Sequence, residues 1–319
     1  MRVRALFLAA CLAASANAYA QADFPSKPIR IIVPFTPGGT ADLLGRLAAR
    51  RFSEIYGKQA VVENKPGASG HVGAAEVARS APDGHTLLVG TIGIHAAHKM
   101  YRKLAYNPAA DLEVITVLAE MSNLLVVHPA LPARSVDELI ALAKAKPGAL
   151  NFGSAGPGSS THMIGELFLL ATGTKMTHVP YKGSAPAMND VMGGQIQLMF
   201  ENFPTALPQV RGGRVRALAV TGPRREVSLP DVPTAGETVP GYAATAWFSL
   251  AAPRGLAPGV AEKIQSDLRR AIFAPEAIEE LKAQGANAVL NSPAETAKFI
   301  AAETDKWTRV IDAAKIQVE

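Results

Sequence analysis

Cysteine is almost absent: Cys11 is the only one in 319 residues. It falls within an N-terminal leader, so a mature chain has none. Disulfides, thiolate metal sites and cysteine nucleophiles are thereby excluded, and packing alone must stabilise the fold. Runs of Lys or Arg are also missing. The formal net charge is +5 and aromatics make up 6% of the chain, with Arg2 and Arg4 of the leader supplying part of that charge. Nucleic-acid binding needs a clustered basic stripe interleaved with stacking aromatics, so no nucleic-acid partner is expected. No apolar run is long enough to span a bilayer; the one at residues 5–14 is about half the length required. There is no H-E-x-x-H, no G-x-S-x-G and no G-K-[ST], so neither metal nor cofactor is expected. No short repeat of fixed period is present, which excludes a solenoid.

What remains is an ordinary globular composition, 48% hydrophobic and 18% charged, long enough for two cored units. Residues 1–20 read as a signal peptide: a basic start at Arg2 and Arg4, a short apolar core, and the small-residue cleavage site Ala18-Tyr19-Ala20. A periplasmic location follows. Leu8-Ala9-Ala10-Cys11 has the shape of a lipoprotein box, but cutting there leaves only a very short leader, so lipidation is the lesser alternative.

Beyond the leader, strand-like runs alternate with helical patterns, the mark of an α/β fold. Ile29–Val33 is short and β-branched. A helix with Leu43, Leu44, Leu47, Phe52 and Ile55 follows and ends at Gly57. Val61-Val62 and Leu87–Val89 predict further strands, with a small-residue helix between them around Gly73 to Arg79. From Leu124 the chain enters a second unit. There Ser135 and Glu138 form a capping box, Asn151–Ser154 ends a strand, and a helix from Ser160 to Gly173 carries Met163, Ile164, Leu167, Phe168 and Ala171 on one face. Strands are expected at Ile196–Phe200 and Val215–Val220. The apolar run Ala243–Ala252 leads back to the first unit. A helix from Val260 and a final helix capped by Ser292, Pro293 and Glu295 complete it, with Trp307, Val310 and Ile311 facing the core.

Two corners recur, each a strand, a Gly/Pro turn and a helix: Pro37-Gly38-Gly39-Thr40 and Ala155-Gly156-Pro157-Gly158-Ser159-Ser160. Glycine lets a ligand approach the backbone closely. The helix that follows offers unpaired N–H groups and the positive end of its dipole. A carboxylate fits there without Lys or Arg, and open α/β sheets bind ligands at the carboxyl ends of their strands. One such corner is often only a tight turn. Two, one per unit, predict a cleft that grips an organic anion from both sides. Asp42 sits early in the first helix, where it serves either the helix dipole or an amino group on the ligand.

Pro34-Phe35-Thr36-Pro37-Gly38-Gly39-Thr40-Ala41-Asp42 resembles the first ligand loop of the Bug-type receptors of tripartite tricarboxylate transporters. The resemblance runs from Phe24 to Trp307. It includes Glu63-Asn64-Lys65-Pro66-Gly67-Ala68, Pro82-Asp83-Gly84-His85-Thr86-Leu87, Gly153-Ser154-Ala155-Gly156, Val179-Pro180-Tyr181-Lys182-Gly183 and Leu229-Pro230-Asp231-Val232-Pro233-Thr234. It implies a two-lobed periplasmic-binding-protein fold of type II, closing on its ligand. Lobe one is expected at 23–123 and 246–319 and lobe two at 124–245, with motion near Val126 and Ala246. It also implies that a ligand carboxylate sits between Thr36–Thr40 and Ser154–Thr161 with bridging waters. Candidate ligand residues are Phe35, Thr36, Pro37, Gly38, Gly39, Thr40, Asp42, Ser154, Ala155, Gly156, Ser159, Ser160, Thr161, His162 and Tyr181. Thr91 and His95 occupy positions where the family places cleft residues. Glu201-Asn202 matches the family's Asp-Asn, with a methylene to spare, and Trp247-Phe248 is placed to wall the pocket.

A secreted hydrolase is the competing class. Ser159, His162 and Glu166 fall on one helix as nucleophile, base and orienter, and Ser154 is a second nucleophile candidate. A helix cap and a ligand contact explain the same residues more simply. His95 and His98 lie three apart, too few for zinc. His71, His85, His128 and His178 read as surface or hydrogen-bonded residues. Gly67, Gly70 and Gly73 read as close helix packing rather than a phosphate loop. The sequence therefore predicts a monomeric, non-catalytic receptor for a di- or tricarboxylate, an acidic amino acid or an aromatic acid. It would serve the membrane subunits of a tripartite tricarboxylate-type transporter, or a sensor kinase.

Overall fold

The computed structural model describes residues 24–318. The leader, its cleavage site and Cys11 lie outside the described residues. In chain order the elements are β1 (Ile29–Val33), α1 (Thr40–Tyr56), β2 (Ala60–Asn64), α2 (His71–Ala78), β3 (Thr86–Thr91), α3 (Ile92–His95), α4 (Pro108–Asp111) and β4 (Leu112–Val127). Then come α5 (Val136–Ala145), β5 (Asn151–Ser154), α6 (Ser160–Thr172), β6 (Thr177–Pro180), α7 (Ser184–Met192), β7 (Leu198–Asn202), α8 (Phe203–Arg211), β8 (Arg216–Val220) and α9 (Ala235–Thr238). The chain closes with β9 (Thr245–Pro253), α10 (Val260–Ile272), α11 (Pro275–Ala283), β10 (Ala286–Ala288) and α12 (Pro293–Ala314).

The strands run β2-β1-β3-β9-β4-β7-β5-β6, with β8 and β10 also paired to β4. β1 lies parallel to β2 and β3, and β5 lies parallel to β6 and β7. β4 is shared. Its leading part, through Ser122, pairs antiparallel with β9 and β10. From Asn123 it pairs with β7 and β8 instead. Two half-sheets thus hang on one unbroken strand of 16 residues, and each forms a lobe. The fold is the two-lobed α/β type expected from the sequence.

The elements form for local reasons that set the corners. α1 ends where Gly57 turns left-handed at φ 61°, a conformation cheap only for glycine. Gly45 lets α1 lie on the sheet, since a Cβ there would meet Val33 Cγ2 at 2.6 Å. α12 opens with the full capping box of Ser292 and Glu295, and Trp307 is fully buried on its inner face. α6 buries Met163, Ile164 and Phe168 as expected, but Ala171 is exposed and Leu169 is buried in its place. The capping box at Ser135 is half made. Ser135 caps the amide of Glu138, while the Glu138 carboxylate reaches past it to the amide of Arg134 at 2.6 Å. Gly73 does pack closely, within 3.1 Å of Ile32, Pro34 and Lys65 for a Cβ, whereas Gly67 and Gly70 serve a turn at φ 142° and 97°.

Candidate functional site

β1, β3, β5, β6 and β7 all present their carboxyl ends to the gap between the lobes, and the next helices start there. That is where the fold leaves backbone N–H groups unused. A small cavity of about 20 Å³, room for a water molecule, opens in this gap. The first lobe lines it with Phe35, Gly39, Thr40, Ala41, Thr91 and Phe248. The second lobe adds Ala155, Ser159, Ser160, Ser184 and Asn202. Among the described residues no charged side chain lines it.

Besides the four-residue α3, which follows the lining residue Thr91, four helices begin at this cavity. Gly39, Ser159, Gly183 and Asn202 are the N-caps of α1, α6, α7 and α8. Only Ser159 caps with its own side chain; the other three make no side-chain cap bond. The amides of Thr40, Ala41 and Asp42 in α1, of Ser160 and Thr161 in α6, and of Ser184 and Ala185 in α7 find no acceptor among the described residues. These N–H groups and the aligned helix dipoles give the cavity a positive potential without a cation.

The first corner is held from outside the cavity. The Asp42 carboxylate accepts from the Gly38 amide at 3.1 Å, from Arg46 at 3.0 Å and from Asn64 Nδ2 at 3.0 Å. Asn64 also reaches the Phe35 carbonyl. Burial pushes the Asp42 carboxyl up, but Arg46, Asn64 and Gly38 together hold it below its usual range. Asp42 therefore shapes the turn from behind. Pro37 and Gly38 form the exposed rim of that turn.

The second corner is held by neutral groups. Ser154 Oγ accepts from the Gly156 amide at 3.0 Å and meets His178 Nε2 at 2.5 Å. Thr161 Oγ1 accepts from the Ala155 amide, and His162 Nδ1 accepts from the Gly158 amide at 3.1 Å. Ser159 Oγ donates to the Gly156 carbonyl at 2.6 Å. His162 and His178 stack at 3.9 Å, with Phe152 over both. Burial, with His162 beside it, lowers His178 to about 3. The hydrolase reading fails on this geometry. Ser159 Oγ is committed to a carbonyl and not to the His162 ring, and Ser154 is fully buried.

The lobes touch around the cavity. The Thr36 amide donates to the Lys182 carbonyl at 3.3 Å, and Tyr101 donates to the Pro157 carbonyl at 2.7 Å. Thr40 Oγ1 and Thr205 Oγ1 are 3.2 Å apart. Gly183 packs on Thr36 and Gly39 on Ser184 so tightly that a Cβ at either would collide.

Of the residues singled out from the sequence, Phe35, Gly39, Thr40, Thr91, Ala155, Ser159, Ser160 and Asn202 line the cavity. Thr36, Gly156, Thr161, His162 and Ser154 build its frame as described. Tyr181 turns away and donates to Asp190 at 2.5 Å, and burial and Asp190 push its hydroxyl up to about 12. His95 lies beneath β3 against Gly90 and Trp247, and burial lowers it to about 3. Glu201 stands just behind Asn202, fully buried. Phe248 walls the cavity, but Trp247 points to the other face of β9 and donates to Glu303 at 2.7 Å, because neighbours on a strand alternate sides. Ser184 and Ala41 were missed. The signal for Ser184 was present: Pro180-Tyr181-Lys182-Gly183-Ser184 is a third strand, glycine and helix start. His95 and His98 lie in separate short helical turns. Among the described residues no group of three His, Cys, Asp or Glu is placed to hold a metal.

Comparison with known proteins agrees with this architecture. The chain is 36% identical over 291 residues to BugT of Bordetella pertussis, covering 90% of this chain and 89% of that one. The structure of Rpa4515 from R. palustris with adipate matches with a TM-score of 0.90 and 38% identity, over 92% of this chain and 99% of that one. MatC from Rhodopseudomonas palustris with bound malate matches with a TM-score of 0.86 and 32% identity, over 90% and 100%. The family model described as the tripartite tricarboxylate transporter family receptor matches residues 44–316. The chain belongs to that family of solute-binding receptors and is not an enzyme.

Proposed function

We propose that this receptor captures a small dicarboxylate in the periplasm and hands it to the membrane subunits of a tripartite tricarboxylate transporter. The observation that carries the reading is a cleft between the lobes where four helices begin and, among the described residues, no charged side chain intrudes. Uncapped amides on α1 and α7 and the free first-turn amides of α6 would bind one carboxylate from both lobes at once. Phe35 and Phe248 would cover the apolar stem of the ligand. The relatives that hold adipate and malate support the class of ligand. Lobe one would comprise 23–123 and 246–319, and lobe two 124–245, with closure about the point where β4 changes partners. The leader sequence supports export, and among the described residues no helix is long and apolar enough to cross a membrane.

A thermal-shift and calorimetric screen of dicarboxylates against their diamides tests this. A bound dianion should raise Tm as occupancy rises, by roughly 2.7 kcal/mol of stability at a hundredfold excess over Kd, and should reduce the radius of gyration. Equal stabilisation by the diamides would sink the anion reading.

A further inference from the structure

Among the described residues, Glu201 is a fully buried carboxyl behind the cavity with no cation paired to it. It lies on β7 next to Asn202, with its side chain fully buried. One oxygen, Oε1, accepts from the Thr205 hydroxyl. Thr205 in turn meets Thr40 of the opposite lobe at 3.2 Å, and Thr40 lines the cavity. The other oxygen, Oε2, is buried and has no hydrogen-bond partner. Ser184, also a lining residue, stands near enough to the carboxyl to favour its ionised form.

Every element packed around Glu201 keeps its own charges engaged elsewhere. α1 offers Thr40, while its Asp42 and Arg46 pair with each other. α6 offers Ser160, bonded to Asn202, while its His162 and Glu166 face one another at 3.5 Å. α7 has Asp190 bound to Tyr181, and α8 has Arg211 at its far end near the Ser228 carbonyl. β4 places Leu124 opposite, with Glu120 bonded to Thr245, and the neighbouring β5 carries Ser154 with His178. An ionised carboxylate in such a place is costly, so burial favours its proton.

We infer that Glu201 is a proton-holding wall of the cleft: its carboxyl is neutral while an anion occupies the cavity and ionises when the cavity is empty, so capture takes up one proton. The inference rests on the carboxylate reading above. An anion in the cavity and an ionised Glu201 behind it would repel one another, and no basic side chain lines the cavity to offset this. Burial already moves the Glu201 carboxyl up to about 7, against the smaller opposing pull of Thr205, Ser184 and the Asn202 backbone. It is thus poised to exchange a proton near neutrality. Binding and protonation then favour each other reciprocally. Below the empty protein's midpoint the affinity is flat. Above it each captured anion must bring in a proton, and affinity falls by up to tenfold per pH unit. Glu201 acts here as a positioning residue that reaches the cavity through Thr205 and Thr40, Ser184 and Asn202.

Calorimetry of malate and adipate dianions between about pH 6 and about pH 8.5, in paired buffers of different ionisation enthalpy, tests it. Wild type is expected to take up close to one proton per ligand above neutrality, and Glu201→Gln none, with a flat affinity profile. Identical slopes in both proteins overturn this inference alone. Failure of both dianions to bind at any pH overturns the carboxylate reading with it. Carbon-13 titration of the ligand-free wild type gives a second arm. The carboxyl signal lost in Glu201→Gln should titrate near 7, and a midpoint in the ordinary range of about 4.3 overturns the inference. Should Glu201→Gln not fold, Thr205→Val removes the hydroxyl that favours the ionised form. It should move the wild-type affinity midpoint to higher pH, and an unmoved midpoint overturns the inference.

Discussion

In the first corner, at residues 35–42, one ionised carboxylate gathers the Gly38 amide, Arg46 and Asn64 from behind the turn. In the second, at residues 154–162, three hydroxyl side chains and an imidazole stack do the equivalent work. The first leaves the amides of Thr40, Ala41 and Asp42 open, while the second consumes those of Ala155, Gly156 and Gly158 and leaves Ser160 and Thr161. Both read as a Gly/Pro turn before a helix. The difference teaches that an anion seat can be propped by charge or by neutral hydrogen bonds, and that the two supports should fail under different conditions.

The largest effect is expected from glycine at each corner. Gly39 has an ordinary φ of −91°, but a Cβ there meets Ser184 Oγ across the gap at 2.8 Å. Gly39→Ala should therefore block closure and cost more than tenfold in affinity with Tm unchanged. Gly156 has φ 120°, and its Cβ would meet Ser69 and the Tyr181 carbonyl. Gly156→Ala should lose affinity and also lower Tm by a few degrees, because an L-residue is strained there by about 1–2 kcal/mol. Equal Tm values for the two variants would erase the contrast.

The next effect sharpens the charge contrast. Asp42→Ala removes three bonds to a nearly buried carboxylate and should cost about 2 kcal/mol. The folded Asp42 sits below its usual value, so its contribution is complete above about pH 3.9 and fades only as pH falls through the lower folded value. His178 behaves differently. The unfolded chain takes its proton near 6.5, while the folded protein resists until about 3. Its contribution is complete above about 6.5 and is lost as pH falls through the interval below. Denaturant titrations at falling pH should show His178→Asn flattening the early loss and Asp42→Ala leaving that part intact. The smallest effect is Ser159→Ala, which removes a helix cap and should cost about 1 kcal/mol. A loss several times larger would mean that the second corner depends on one hydroxyl rather than on the group.

Much of this was legible in the sequence because local rules dominate it. β1 and α1, with its Gly57 stop, and the Ser292 box of α12 follow from propensity, periodicity and caps. The two corners were legible for the same reason, and so were nine of the lining residues, Phe248 among them. What escaped depends on direction in space. Nothing local tells Tyr181 to bond Asp190 or Trp247 to face Glu303. Asp42 was ambiguous until Asn64, 22 residues away, proved to be its partner. Ser184 was missed because its strand is short and edge-like, with β6 exposed at both ends, so a third corner did not stand out.

The way β4 is shared has a consequence for assembly of the molecule. β9 lies between β3 and β4, yet more than a hundred residues separate it from either strand's own neighbourhood in sequence. As the chain emerges, β4 to β8 can already zip into a finished half-sheet. β3 and the leading part of β4 must meanwhile wait as bare edges, the kind that invite wrong partners, until residues 245–253 slide between them. The lobe that begins first is therefore the lobe that finishes last.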